Sequence, residues 1–157
     1  MPGDAEPRGT ARFVRRAFAL MRRERPARYR AIAAVLRDAP GRYRVERERF
    51  TLRARSAREV EVRQGWPPDP AAVVAETTAR ATLQLVDGTA TVEQLLEREL
   101  LVVYGSADAL LALSSVLRMF ADAAVASRAQ QRLFEAYRTW VLRSGSAGHP
   151  AQRRARL

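Results

Sequence analysis

Apolar residues recur at helical spacing from Ala11 to Asp38: Phe13, Val14, Ala17, Phe18 and Met21, then Tyr29, Ile32, Ala33 and Leu36. Positions i, i+3, i+4 and i+7 are one face of an amphipathic helix, and Pro26 either kinks this helix or opens its second half. Ala39-Pro40-Gly41 stops it, and the period then falls to two. Tyr43 and Val45 alternate with charged residues, and Phe50 and Leu52 do so on the opposite parity, so a turn or bulge near Glu46 to Arg49 must restore the facing. "RYRVE", "RFTLRA" and "EVEVRQG" are thus expected as three short strands, and "AAVVAET" as a fourth, after a "WPPDP" too rich in proline to continue a strand.

Thr78 to Val86 is again helical in spacing and ends at Asp87-Gly88. Thr91 with Gln94 three residues on forms a capping box that starts a short helix, "VEQLLER". "LLVVYG" reads as a fifth strand, and its unbroken apolar run predicts burial on both faces, as for an interior strand. From Ala107 to about Arg143 two helices are expected, with a break near 125–130. Leu110, Leu113, Leu117, Phe120 and Ala124 make the apolar stripe of the first, widened by Leu111, Val116 and Met119. Leu133, Phe134, Tyr137, Trp140 and Val141 make that of the second.

Length and composition narrow the picture. A chain of 157 residues fits one domain and buries roughly 70% of its unfolded surface, enough for a real core. Residues 1–9, with two prolines and two glycines, read as a disordered lead, and 144–157 as a disordered basic tail. The ordered domain then spans 10–143: a basic helical lead-in over 10–38, sheet and short helices over 42–105, and C-terminal helices over 107–143. No apolar run approaches the ~20 residues of a membrane span, and the start lacks the apolar core of a signal peptide. A soluble, cytoplasmic protein is expected.

The formal charge of +11 suggests an acidic partner, but all 28 basic residues are arginine, there is no lysine or asparagine, and isoleucine occurs once. This resembles the bias of a GC-rich genome, and a bacterial source is expected. What carries information is the distribution: residues 1–55 hold 16 arginines against 6 acidic residues, a net of +10, and the remainder is nearly neutral.

Catalytic chemistry is scarce. There is no cysteine, and the sole histidine, His149, lies in the tail, so Cys/His and Ser/His/Asp arrangements and zinc sites have no ligands to build them. The carboxylate pairs Glu97/Glu99 and Glu59/Glu61 sit among charged neighbours and read as solvated faces. Asp87-Gly88 has neither the flanking glycines nor the lysine of a phosphate loop. No catalytic residue, metal or cofactor is expected. The chain does offer generous apolar surface on two aromatic-bearing helices above a sheet. It either closes into an ordinary core or leaves an apolar cavity.

The run "AAVVAETTARATLQLVDGTATVEQLLERELLVVYGSADALLAL" resembles the central segment of the sterol carrier protein type 2 family: a strand, a helix ending in an aspartate-glycine turn, a Thr-initiated helix with Glu93, and a strand closing on glycine before the next helix. The likeness is close over 71–113 and topological over 42–143. It implies an α+β domain with a twisted, mainly antiparallel five-stranded sheet, helices on one face, an added N-terminal helix, and an apolar pocket for sterols, fatty acyl chains or similar lipids. Three departures stand out: Glu97 or Arg98 in place of a glycine before the last strand, Ser106 in place of an aspartate after it, and Leu95-Leu96 where a small alanine is usual. The leucines are expected to fill pocket volume or push the short helix outward.

The leading expectation is therefore non-enzymatic binding or transfer of a hydrophobic small molecule. Its contacts would be Leu110, Leu113, Leu117, Phe120, Phe134, Tyr137 and Trp140, between sheet and C-terminal helices. Arg15, Arg16, Arg22, Arg23 and Arg30 would dock an anionic membrane surface or an acidic protein, or simply form a solvated face. Two alternatives stand beside it. One is an accessory enzyme that shapes a polyketide- or terpene-like substrate in the same pocket, with Tyr104 or Tyr137 as polar groups. The other is nucleic-acid binding through the basic N-terminal third, against which Phe13, Phe18 and Tyr29 fall at core spacing and no nucleic-acid motif occurs.

Overall fold

A computed structural model describes residues 9–68 and 70–145. Apart from Gly9, at the start of the first helix, and the last helix, which continues through Ser144 and Gly145, the expectations for the lead and the tail lie outside these residues. The elements run α1 (Thr10–Glu24), α2 (Pro26–Asp38), β1 (Gly41–Val45), β2 (Glu48–Ser56), β3 (Glu59–Gln64), β4 (Val73–Thr77), α3 (Ala79–Val86), α4 (Val92–Glu97), β5 (Leu101–Gly105), α5 (Ala107–Val125) and α6 (Arg128–Gly145). Pro26 opens α2 at its first turn, where its missing N–H would have no intrahelical partner anyway. No single helix among the described residues is long and apolar enough to cross a membrane.

The sheet order is β3-β2-β1-β4-β5. β1 pairs antiparallel with β2, β2 with β3, and β4 with β5, while β1 and β4 run parallel. The change of parity expected between the first two strands is made by a two-residue turn in which Glu46 takes φ 58°. Register then aligns Val62, Leu52, Gly41 and Val73 in one row, and Phe50, Tyr43, Ala75 and Val103 in the next. The helices lie over this apolar face. On the opposite face Arg53 pairs with Glu61 and Arg44 with Glu76, and the Arg53 bond holds the Glu61 carboxyl below the usual carboxylate range. Trp66 returns towards this side, donating from Nε1 to the Tyr43 carbonyl (3.1 Å), with the Arg49 guanidinium 4.8 Å from its ring centre.

The expectation that β5 is an interior strand is overturned: it is an edge strand, paired only to β4. Leu101 is buried, but Val102 and Tyr104 are 42% and 61% exposed. The unbroken apolar run thus has one face on the core and one towards water.

The local signals in the middle of the chain are met atom by atom. Thr78 caps α3, accepting from Ala81 N at 3.1 Å. Gly88 has φ 75° after Asp87, the left-handed conformation that glycine takes without penalty. Thr91 and Gln94 form the reciprocal capping box, at 3.0 and 3.2 Å. A Cβ at position 105 would meet the Ala72 carbonyl oxygen at 2.8 Å, so glycine is required there by the close approach of the residue leading into β4. Ser106, one of the departures from the family pattern, caps α5 by accepting from Ala109 N at 3.2 Å.

Candidate functional site

The core has two parts. The larger gathers α1, α2, α3, α5, α6 and the inner faces of β1–β3. The smaller gathers Val73, Ala75, Leu95, Leu101 and Leu113 with their neighbours. Where they adjoin, between sheet and helices, lies an apolar cavity of about 90 Å³. Its floor is Tyr43, Val45, Phe50, Leu52, Ala75 and Leu101. α1 supplies Val14 and Phe18, α3 supplies Leu85 and Val86, and α5 supplies Leu113, Val116, Leu117 and Phe120.

The three threonines and the arginine of the lining direct their hydrogen-bonding atoms elsewhere. Thr10 Oγ1 bonds Tyr137 Oη at 2.9 Å, Thr77 Oγ1 donates to the Leu100 carbonyl at 2.8 Å, and Thr82 Oγ1 donates to the Thr78 carbonyl at 2.9 Å. The Arg44 guanidinium bonds Glu76 at 2.7 Å. Burial pushes the ionisation of the Tyr43 phenol up, so it stays neutral. A space bordered this way excludes charge, and an apolar void of this kind stays dry.

Of the residues expected to contact a ligand, Leu113, Leu117 and Phe120 border the cavity, whereas Leu110, Phe134, Tyr137 and Trp140 do not. The reason is α1. Phe13 inserts between α5 and α6, stacked on Tyr137 at 4.1 Å and edge-on to Phe134 at 5.1 Å, and Trp140 stacks on the far side of Tyr137. These rings form a solid aromatic core, and Thr10 stands between Tyr137 and the void. Burial raises the Tyr137 phenol above its ordinary ionisation range despite the Thr10 bond. Leu110 is half-buried on α5. Val14, Phe18 and the strand residues of the lining were legible as core positions. Nothing local marks which of them face a gap.

Glu48 holds α1 in place. Gly9 offers α1 no side-chain cap, and the Glu48 carboxylate on β2 instead accepts from Thr10 N at 2.7 Å and Ala11 N at 3.0 Å. It thereby satisfies donors that a helix start leaves open, at the positive end of the dipole.

The five arginines expected to dock a surface are not equivalent. Arg15 donates to the Val62 carbonyl at 3.0 Å and so serves the edge of β3. Arg16 is half-buried. Arg22 lies 6.0 Å from the Tyr29 ring centre, and Arg22, Arg23 and Arg30 are exposed. Leu95 is fully buried beside Leu101 and Leu113, while Leu96 points outward, so the bulk at this departure fills space next to the cavity. Among the described residues there is no cluster of His, Cys, Asp or Glu suited to a metal.

No family model matches the sequence, and no curated protein sequence does. Solved structures do match. A structure described as "UbiJ-SCP2 Ubiquinone synthesis protein" superposes over 65% of this chain and 85% of its own, with a TM-score of 0.51 and 19% identity. The sterol carrier protein domain 2 of Helicoverpa armigera covers 78% of this chain and 95% of its own, with a TM-score of 0.57 and 11% identity. Apo sterol carrier protein 2 from Yarrowia lipolytica covers 69% and 90%, with a TM-score of 0.50 and 15% identity. The chain has the sterol carrier protein type 2 fold. At these identities the likeness is one of fold.

Proposed function

We propose that the protein binds, and passes on, a hydrophobic small molecule whose hydrocarbon end enters the cavity between sheet and helices. The observation that carries this reading is the chemistry of the void: apolar walls and a neutral buried phenol, with the neighbouring threonine hydroxyls and guanidinium engaged elsewhere. A carboxylate or phosphate would lose its hydration there without a partner, so the polar head of the ligand stays outside. The shared fold is in keeping with the reading, since two of the similar structures are sterol carrier proteins by name.

The size of the void adds a condition. About 90 Å³ is below the ~300 Å³ at which pockets for whole ligands begin. The state described is therefore closed, and a sterol or long acyl chain requires the walls to part. Leu85 and Leu117 are the half-buried leucines of the lining helices and are the ones whose displacement enlarges it. The exposed Arg22, Arg23 and Arg30 give the carrier a cationic face on which an anionic membrane could hold it during exchange.

A fluorescent fatty-acid probe tests the reading. Saturable binding at one site per chain is expected, weakened by Leu117→Trp, which fills the void. A probe that fails to saturate, or binds the variant equally well, removes the cavity as the binding site.

A further inference from the structure

Of the four tyrosines, Tyr104 is exposed and the other three lie inside the fold. Two of these have a partner for the hydroxyl: Tyr29 Oη accepts from Val60 N at 2.8 Å, and Tyr137 Oη bonds Thr10 Oγ1 at 2.9 Å. Tyr43 Oη has none among the described residues, and burial alone acts on its phenol. An O–H shut away from water without an acceptor costs free energy, so its presence calls for a reason.

Tyr43 stands on β1, the central strand, and points to the face that the helices cover. Its ring lies back along the strand over Gly41, where a Cβ would fall on the hydroxyl, and stacks on Phe50 at 5.5 Å. Its neighbour on β4 is the small Ala75. Tyr43 packs against both parts of the core and borders the void between them. It is half-buried, and beneath the helices the surface it retains is cavity wall.

We propose that Tyr43 is a specificity-determining residue of the cavity, donating its O–H to a neutral carbonyl, a ketone or an ester, carried within the hydrocarbon of the ligand. This rests on the cavity being the binding site. The threonine hydroxyls and the Arg44 guanidinium of the lining are engaged elsewhere, so Tyr43 is the polar side chain left for a ligand. A carboxylate would bring a charge with no counter-charge to meet it. A carbonyl accepts one hydrogen and brings none, so the pair is complete. A ligand alcohol facing Tyr43 makes two hydroxyls with one bond between them, and one hydrogen is left over.

Two probes of equal chain length, hexyl methyl ketone and octane, test this by displacing the fluorescent fatty acid from the full chain and from its Tyr43→Phe variant, which loses the hydroxyl and keeps the ring. The ratio of ketone affinity to octane affinity should fall about three- to tenfold in the variant, as loss of one neutral hydrogen bond gives. The infrared carbonyl stretch of the bound ketone should lie lower in the parent than in the variant. Without ligand, the variant should melt no lower than the parent, since no bond within the fold is lost. Displacement by both probes with the same ratio in parent and variant leaves the cavity as the binding site and overturns the role of Tyr43. Displacement by neither overturns both. A variant that melts well below the parent gives the hydroxyl a partner within the fold, and that result also overturns the proposal.

Discussion

Leu113→Ala probes the cavity through energetics. Leu113 sits on α5, is 6% exposed, packs in the smaller core and borders the void. Its truncation removes three carbons at about 0.8 kcal/mol each, or about 2.4 kcal/mol of lost burial. α5 is held by the sheet, by α2, by α3 and by α6, so the site can collapse little. Retained space on the order of 80 Å³ then adds about 2 kcal/mol at ~24 cal/mol per Å³. The expected loss is about 2.4 to 4.4 kcal/mol, read from urea melts with an unchanged m-value. The new space also joins the existing 90 Å³, and the combined void exceeds the ~150 Å³ that accommodates benzene in an apolar core. Benzene should therefore raise the melting temperature of the variant and leave the parent protein unmoved. A loss under about 1 kcal/mol, or a variant that does not respond to benzene, would refute the placement of Leu113 on an apolar gap.

Three further outcomes follow from the same geometry. Glu48→Ala leaves the Thr10 and Ala11 N–H groups unpaired and should cost about 1 to 2 kcal/mol, as loss of a helix cap does; an unchanged urea midpoint would show that water replaces the carboxylate without loss. Gly88→Val should cost roughly 1 to 3 kcal/mol from backbone strain alone, since no atom lies within 4 Å of a Cβ built there; equal melting temperatures would contradict the left-handed turn. Burial raises the Tyr43 and Tyr137 phenols above their ordinary value, so their contribution is fully present below the unfolded-state value, about pH 10. It is lost as pH rises from there towards the native values, because the unfolded chain releases the protons first. Melts between about pH 8 and 11 should fall beyond that point, and a melting temperature that holds level through that range would count against it.

Much of the fold was legible because its signals are local. Thr78, Thr91 with Gln94, Asp87-Gly88 and Pro26 act within a few residues of where they stand, and the inward parity of Tyr43, Val45, Phe50 and Leu52 follows from alternation. The position of β5 was not legible, because sheet order is set by the parallel pairing of β4 with β1, far apart in sequence, and an apolar run does not say which of its faces is covered. The cavity was half legible for the same reason. The α5 stripe pointed to Leu113, Leu117 and Phe120, but only the insertion of Phe13 between α5 and α6 decides that Phe134, Tyr137 and Trp140 become solid core. Arg15 shows the limit from the charge side: it is one of many arginines in sequence, and the Val62 carbonyl it meets lies 47 residues away.

The most direct test of a hydrophobic cargo is native mass spectrometry of the full chain purified from its own host, followed by organic extraction and identification of what is released. The account predicts one hydrophobic molecule per chain, with a long hydrocarbon portion and a polar head, displaced by the fluorescent fatty-acid probe. A chain that is empty on isolation and takes up no acyl chain, sterol or isoprenoid at saturating concentration would contradict it.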